Sequence, residues 1–255
     1  PYRHEDVIFG HIHMARTAGS SLNWNLSNHF ERVCGNKGYS YDAYIKGTDV
    51  KQANIVESIG FEDCDYISME ADPDFWFQFD HFHNTPMELH VPCREPIDYL
   101  MSLCNYEMVR GRAEAFDCDG LSSNSSNEEI ADAVNVCLRF IGRYDNKLMK
   151  LQHVQLKCFD FKQQFKSYIY YMRTKLQARR FVADEPKKQV KTPWPRHKDK
   201  ECIWKDEGLK RRVEEYLVSE VPYFRYCKAC VGSENDVTRP DVVDAAEADV
   251  INVQV

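Results

Sequence analysis

The 255-residue sequence predicts an α/β domain built on a central, mostly parallel sheet. Three observations predict it. Short apolar runs of strand length occur at Val7–His13, Tyr66–Met69, Leu89–Cys93 and Val154–Phe159. Helical periodicity follows at about Ser21–Arg32, Pro96–Val109, Glu128–Leu148, Phe161–Arg180 and Asp206–Ser219. Hydrophobic residues make up 43% and aromatics 13%, with 11 Gly and 10 Pro. That is enough apolar material for one large domain, and it excludes a disordered or fibrous chain. Strands alternating with helices imply crossover connections, and crossovers make neighbouring strands parallel.

Each element has a local reason. Along Val7–His13 the two histidines His11 and His13 alternate onto one side of the strand. His13, nearer the following loop, is within reach of a ligand there, against the blander reading of core packing. Pro96 suits the first helical position, where its missing N–H costs nothing. Asn127-Glu-Glu supplies a cap and first-turn acids to the third helix. Gly35–Gly60, Ala113–Ser126 and Ala183–Lys205 read as loop insertions, and no internal repeat is visible. Residues 1–230 form the α/β domain. Residues 231–255, with six acids against the single Arg239 and almost no aromatics, read as a flexible or loosely docked acidic tail.

Charge is unevenly spread. The formal net charge is −7, but Lys147–Lys200 carries fifteen bases against four acids, a local balance of +11. The acidic total counts against nucleic acid as a partner. The basic block is either a set of solvated helix faces or an anion-binding surface.

No apolar run approaches the roughly 20 residues that span a bilayer. The chain starts at Pro1, so a membrane anchor or signal, if there is one, lies in a segment absent from this sequence. Ten cysteines are scattered along it. Cys227 and Cys230 form a lone C-x-x-C, read as a short-range disulfide or two ordinary thiols rather than a metal site. Asn25-Leu-Ser and Asn124-Ser-Ser are glycosylation sequons. Asn25 falls in an expected helix, which leaves Asn124, in a Ser/Asn-rich loop, as the credible acceptor. Cysteines and sequons together lean toward an oxidising, secretory compartment, with the cytoplasm as the alternative.

The first strand runs into Met14-Ala-Arg-Thr-Ala-Gly-Ser-Ser21 and then a helix. A strand, a small-residue turn and a helix N-terminus present backbone N–H groups to an anion. A Walker A loop would end in Gly-Lys-Ser/Thr. Here Gly19 is followed by Ser20 and Ser21, and the cation, Arg16, precedes it. An ordinary NTPase is therefore disfavoured. The remaining reading is a metal-independent cradle with one cation and three hydroxyls, Thr17, Ser20 and Ser21, although a plain strand–helix turn explains the same residues.

The stretch His11–Asn23, "HIHMARTAGSSLN", resembles the 5′-phosphosulfate loop of sulfotransferases that use 3′-phosphoadenosine 5′-phosphosulfate (PAPS), particularly the membrane-type carbohydrate enzymes. Arg16 stands where many members have Lys. The family's second motif places Arg after a later strand, Pro two residues on and Ser eight residues after the Arg. "LHVPCREPIDYLMSLCN" supplies Arg94, Pro96 and Ser102, with Tyr99 where members often carry a second Arg. Arg94 at a strand end offers a planar fork for a phosphate dianion. Between the motifs, "QFDHFHNTP" holds a His-x-His, as in uronyl and heparan 2-O-sulfotransferases.

The resemblance implies a P-loop-type three-layer α/β/α domain, PAPS as sulfate donor with PAP as product, and no required metal. It implies that Arg16, Thr17, Ala18, Gly19, Ser20 and Ser21 hold the 5′-phosphosulfate, and that Arg94 and Ser102 hold the 3′-phosphate. His83 is then the favoured general base, with His81 beside it and Glu70 or Asp80 as carboxylate alternatives. A late basic loop in the family covers the nucleotide. Here that loop carries Lys187, Lys188, Lys191, Arg196 and Lys198 around Trp194, and Lys191 and Arg196 are the expected contacts. The implied acceptor is a carbohydrate hydroxyl, polyanionic glycans included, and the implied location is the Golgi lumen or secretory pathway. The alternatives are a non-catalytic nucleotide- or glycan-binding relative, and a sulfotransferase for a small-molecule or tyrosine acceptor.

Overall fold

The computed structural model describes residues 7–14, 17, 33–34, 66–69, 76, 86–109, 116–139, 141, 154–160, 167–168, 170–172 and 202–238. Five strands form one sheet: β1 Ile8–Ile12, β2 Val33–Cys34, β3 Tyr66–Met69, β4 Met87–Cys93 and β5 Val154–Asp160. Their order is β2-β3-β1-β4-β5, and every pairing is parallel. The α/β reading therefore stands, and four of the strands coincide with the apolar runs. The two-residue β2 has no such run behind it.

Registers sort the strand residues onto two faces. His11 lies opposite both Ser68 and His90, and His90 lies opposite Lys157. The other face carries Ile12, Ile67, Leu89, Val91 and Cys93, which join one apolar core with Trp76 and the helices. Gly10 is on that face for a steric reason. A Cβ there would sit 2.7 Å from the Ile67 carbonyl oxygen and 3.2 Å from the Trp76 ring. Only glycine lets β1 approach the Ile67 carbonyl and the Trp76 ring this closely.

Among the described residues four helices cover the apolar face: α1 Pro96–Val109, α2 Asn127–Leu138, α3 Glu207–Glu220 and α4 Pro222–Cys230. The α2 cap is one residue earlier than the sequence suggests. Ser126 accepts from the Glu129 N–H, and the Glu129 carboxylate accepts from the Ser126 N–H, a reciprocal capping box. Asn127 instead receives Arg212 from α3 at 2.6 Å. The described part of α2 ends at Leu138, and residues 142–150 lie outside the described residues. Pro222 divides the last helical stretch into α3 and α4, because it has no N–H to continue the ladder. On the opposite face, helical residues 167–168 and 170–172 bring Tyr168 and Tyr171 over the sheet.

Among the described residues four disulfides lock the apolar side: Cys93–Cys227, Cys104–Cys137, Cys118–Cys202 and Cys158–Cys230. The C-x-x-C is thus neither a local bridge nor a thiol pair. Cys227 and Cys230 lie on one turn of α4 and reach two different strands, β4 and β5, because three helical residues span about the distance between neighbouring strands. Such bridges fit an oxidising environment. No described helix is long and apolar enough to cross a membrane. Residues 235–237 continue past α4 along the open edge of β5, where the Cys158 N–H meets the Asn235 carbonyl at 2.9 Å and the Val237 N–H meets the Cys158 carbonyl at 3.0 Å. Asp236 is buried there, accepting from the N–H groups of Gly232 and Thr238. Pairing the edge in this way removes a free template for another strand.

Candidate functional site

In an open parallel sheet, ligands bind outside the carboxyl ends of the strands, where the strand order reverses. Here that point falls between β1 and β4. β1 pairs with β3 on one side and β4 on the other, so the chain leaves β1 toward β2 and β3 and returns on the far side. The loop after β1 and the β4–α1 junction therefore emerge side by side. These are the two places where the sequence reading expects anion-binding residues.

The β1 end is a closed turn. The Met14 N–H reaches the Ile12 carbonyl at 2.8 Å, and the Thr17 hydroxyl donates to the Met14 carbonyl at 2.8 Å. Thr17 is 1% exposed, and its hydroxyl proton is committed to the backbone. It shapes the turn in this arrangement and offers an incoming anion no O–H donor. Arg16, Ala18, Gly19, Ser20 and Ser21 lie outside the described residues, as do His81, His83, Glu70, Asp80, Lys191 and Arg196.

The β4 end is held on both sides. Cys93, just before Arg94, is bridged to Cys227 of α4. Tyr223, also on α4, donates its hydroxyl to the Pro92 carbonyl at 2.6 Å. Burial raises the Tyr223 pKa strongly, against the opposing pull of the Arg94 charge and backbone N–H, so the phenol stays protonated and keeps that bond. Arg94 itself is buried. Its backbone is fixed by covalent and hydrogen-bonded neighbours, which is how a rigid scaffold preorganises a binding group. Ser102 lies two turns into α1 and is half-buried. Tyr99 is fully buried, its ring edge-on to Tyr223 and Phe224 at 5.4 and 5.9 Å. That position belongs to the core and supplies no second cation.

Behind this edge, the polar face of the sheet carries a buried network that the sequence reading did not find. The Glu88 carboxylate receives His90 Nε2 at 2.8 Å, Tyr171 Oη at 2.8 Å and Lys157 Nζ at 2.9 Å. His90 Nδ1 meets Tyr168 Oη at 2.8 Å, and Tyr168 Oη meets Tyr66 Oη at 2.5 Å. Burial raises the Glu88 pKa, but the hydrogen bonds and charges of His90 and Lys157 outweigh it and bring it to about 2. Burial lowers His90, so its ring is neutral near pH 7. One set of proton positions then satisfies the chain. Tyr66 donates to Tyr168, Tyr168 to His90 Nδ1, and His90 Nε2–H to Glu88. Burial lifts the Tyr66 and Tyr168 pKa values far above the ordinary phenol range, which keeps both protons in place.

His11 sits among these groups, stacked at 5.7 Å on His13 and 5.7 Å from the Tyr66 ring. It is fully buried, and neither ring nitrogen has a hydrogen-bond partner. Burial lowers its pKa well below the usual value, and the nearby His13 and His90 rings add to the effect. His11 and His13 both face the interior, as the alternation along β1 predicts.

A signal for this network was present in the sequence. Met87-Glu-Leu-His-Val91 alternates titratable and apolar residues, and Gln155-Leu-Lys157 repeats the pattern. Alternation in a central, two-sided strand means polar groups facing polar groups across the sheet. No protein-family model, curated protein or solved structure matches the chain, so the site is read from its own residues alone.

Proposed function

We propose that the protein is a PAPS-dependent sulfotransferase acting on a carbohydrate hydroxyl in the secretory pathway, with a P-loop-type sheet as its scaffold. The observation that supports the reading is the adjacency of β1 and β4, which sets the turn closed by Met14 and Thr17 on the same carboxyl edge as Arg94. The described residues suit a nucleotide in part. Arg94 follows a strand end whose preceding residues are held by the Cys93–Cys227 bridge and the Tyr223 bond to Pro92, and its guanidinium is the side chain chemically suited to bidentate phosphate binding. Ser102, on the helix that Pro96 starts, adds a hydroxyl. In this reading Arg94 and Ser102 hold the 3′-phosphate, and Arg16 with the loop N–H groups holds the 5′-phosphosulfate. Lys191 and Arg196 close over the nucleotide.

The donor supplies an activated sulfuryl group. The acceptor oxygen forms a bond to sulfur as the sulfur–oxygen bond to the 5′-phosphate breaks, and PAP leaves. His83 takes the acceptor proton, with His81 beside it, while Arg16 stabilises charge on the departing phosphate. No metal enters these steps. Radiosulfate transfer from PAPS to a panel of glycans tests the proposal. His83→Ala and Arg16→Ala each lower turnover by on the order of 10²–10³. Wild-type rates in both variants overturn it.

A second reading has its own support. Thr17 commits its hydroxyl proton to Met14, and Tyr99 is a core aromatic rather than a second Arg, so two ligand contacts of a full nucleotide site are weakened. A nucleotide- or glycan-binding relative without transfer fits those facts. PAP binding by calorimetry with no transfer to any acceptor, small phenols and tyrosine peptides included, favours it.

A further inference from the structure

Asn124 occupies a turn that the fold closes tightly around its sequon. The Asn124 side chain is exposed, and its N–H donates to Ser122 Oγ at 3.2 Å. The middle residue, Ser125, is buried. Its Oγ accepts from the Ser122 N–H at 3.0 Å, and its carbonyl accepts from Arg212 Nε of α3 at 2.8 Å. The third residue, Ser126, caps α2 through its hydroxyl oxygen. Gly208 of α3 lies against the same loop, where a Cβ would come within 3.1 Å of Ser123 Cβ. The Cys118–Cys202 bridge ties the loop to the segment that leads into α3.

Two consequences follow from these contacts. A glycan on Asn124 projects into solvent and displaces nothing in the folded protein. Asn124 and Ser126 are both exposed, but a transferase reads the Asn amide together with the hydroxyl two residues on, so the turn must be free to reshape around them. Here the middle residue is clamped by Arg212 and the hydroxyl oxygen already serves as a helix cap. We propose that Asn124 is an N-glycosylation site whose modification is confined to the interval before α3 docks and Cys118 pairs with Cys202. The donor is a lipid-linked pyrophosphate oligosaccharide. Asn124 Nδ2 forms the bond to the anomeric carbon as that carbon's bond to the pyrophosphate oxygen breaks, and the amide proton is lost to solvent. The disulfides among the described residues are compatible with an oxidising compartment, where such a donor is found. This inference stands apart from the sulfotransferase reading, since neither nucleotide binding nor transfer enters it.

The test uses the full chain translated behind a cleavable signal sequence in the presence of endoplasmic-reticulum microsomes. Transfer is followed by the gel shift that peptide N-glycosidase reverses. Asn124→Gln and Asn25→Gln separate the two sequons. The expected result is a shift lost in N124Q and kept in N25Q. Chain that has folded and oxidised before it meets the microsomal transferase, presented in detergent extract, gains no glycan. Ser126→Thr keeps the sequon and raises occupancy in the co-translational reaction. Cys118→Ser with Cys202→Ser, which frees the loop, restores transfer to chain presented late. A shift that survives N124Q, or equal transfer to folded and nascent wild-type chain, overturns the proposal. Absence of any shift in the nascent wild-type chain overturns it as well.

Discussion

The two faces of the sheet solve burial in opposite ways. One packs Ile12, Leu89, Val91 and Trp76 against four helices and is fastened by disulfides, so its stability comes from area removed from water and from covalent links. The other buries Glu88, His90, Tyr66, Tyr168, Tyr171 and His11, with the half-buried Lys157 on the Glu88 carboxylate, and there every charge must find a partner. The apolar face tolerates a change of shape at modest cost. The polar face tolerates paired removal of its charges far better than loss of one.

The largest expected effect breaks that second rule. Glu88→Ala leaves the buried His90 and the half-buried Lys157 without their carboxylate partner and destabilises the fold by about 3 kcal/mol in urea unfolding. Glu88→Leu combined with Lys157→Met restores a large share of that loss. Additive losses in the double variant contradict the account. On the apolar face, Cys93→Ala with Cys227→Ala removes a link between residues 134 apart and costs about 2–5 kcal/mol, read as a lower Tm.

A smaller effect depends on pH. Burial lowers the pKa values of His11 and His90 below 6.5, so the unfolded chain binds protons that the folded chain refuses. Their stabilisation is full above pH 6.5 and declines as the pH falls below it, by up to about 1.4 kcal/mol per pH unit for each ring. Glu88 adds a second window. Its folded value of about 2 lies below the usual 4.5, so its contribution is present above pH 4.5 and is lost between there and pH 2. Chemical denaturation at stepped pH values reads both, and His11→Phe flattens the upper window alone. The smallest effect is local. Asp206 caps α3 by accepting from the Leu209 N–H at 2.9 Å, and Asp206→Ala costs about 1 kcal/mol without changing either pH window.

How far the sequence carries the structure follows the same division. Strands β1, β3, β4 and β5 and helix α1 were legible because apolar periodicity and Pro96 act locally. The α2 cap was displaced by one residue because Ser126 and Asn127 are both good caps, and Arg212, 85 residues away along the chain, claims the asparagine. The destination of the C-x-x-C was illegible for the same reason, since it depends on which strands pass beneath α4. The polar network needs the registers of four strands at once. Met87–Val91 hinted at it, but only pairing puts His90 beside Lys157. Of the residues expected to bind an anion, the described ones show the strand ends they stand on and not what they bind. The motifs place Thr17 and Arg94 at neighbouring strand ends, while the fold turns the Thr17 hydroxyl inward.

Calorimetry of PAP binding to wild-type protein and to Arg94→Ala and Arg94→Lys, run beside radiosulfate transfer, tests the central claim most directly. The account predicts that wild type binds PAP and transfers sulfate. Arg94→Ala then loses affinity by about 10–100-fold, the cost of hydrogen bonds to a charged group, and Arg94→Lys recovers only part of it because the fork is gone. Wild-type protein that binds no PAP, or binding that Arg94→Ala leaves unchanged, contradicts it.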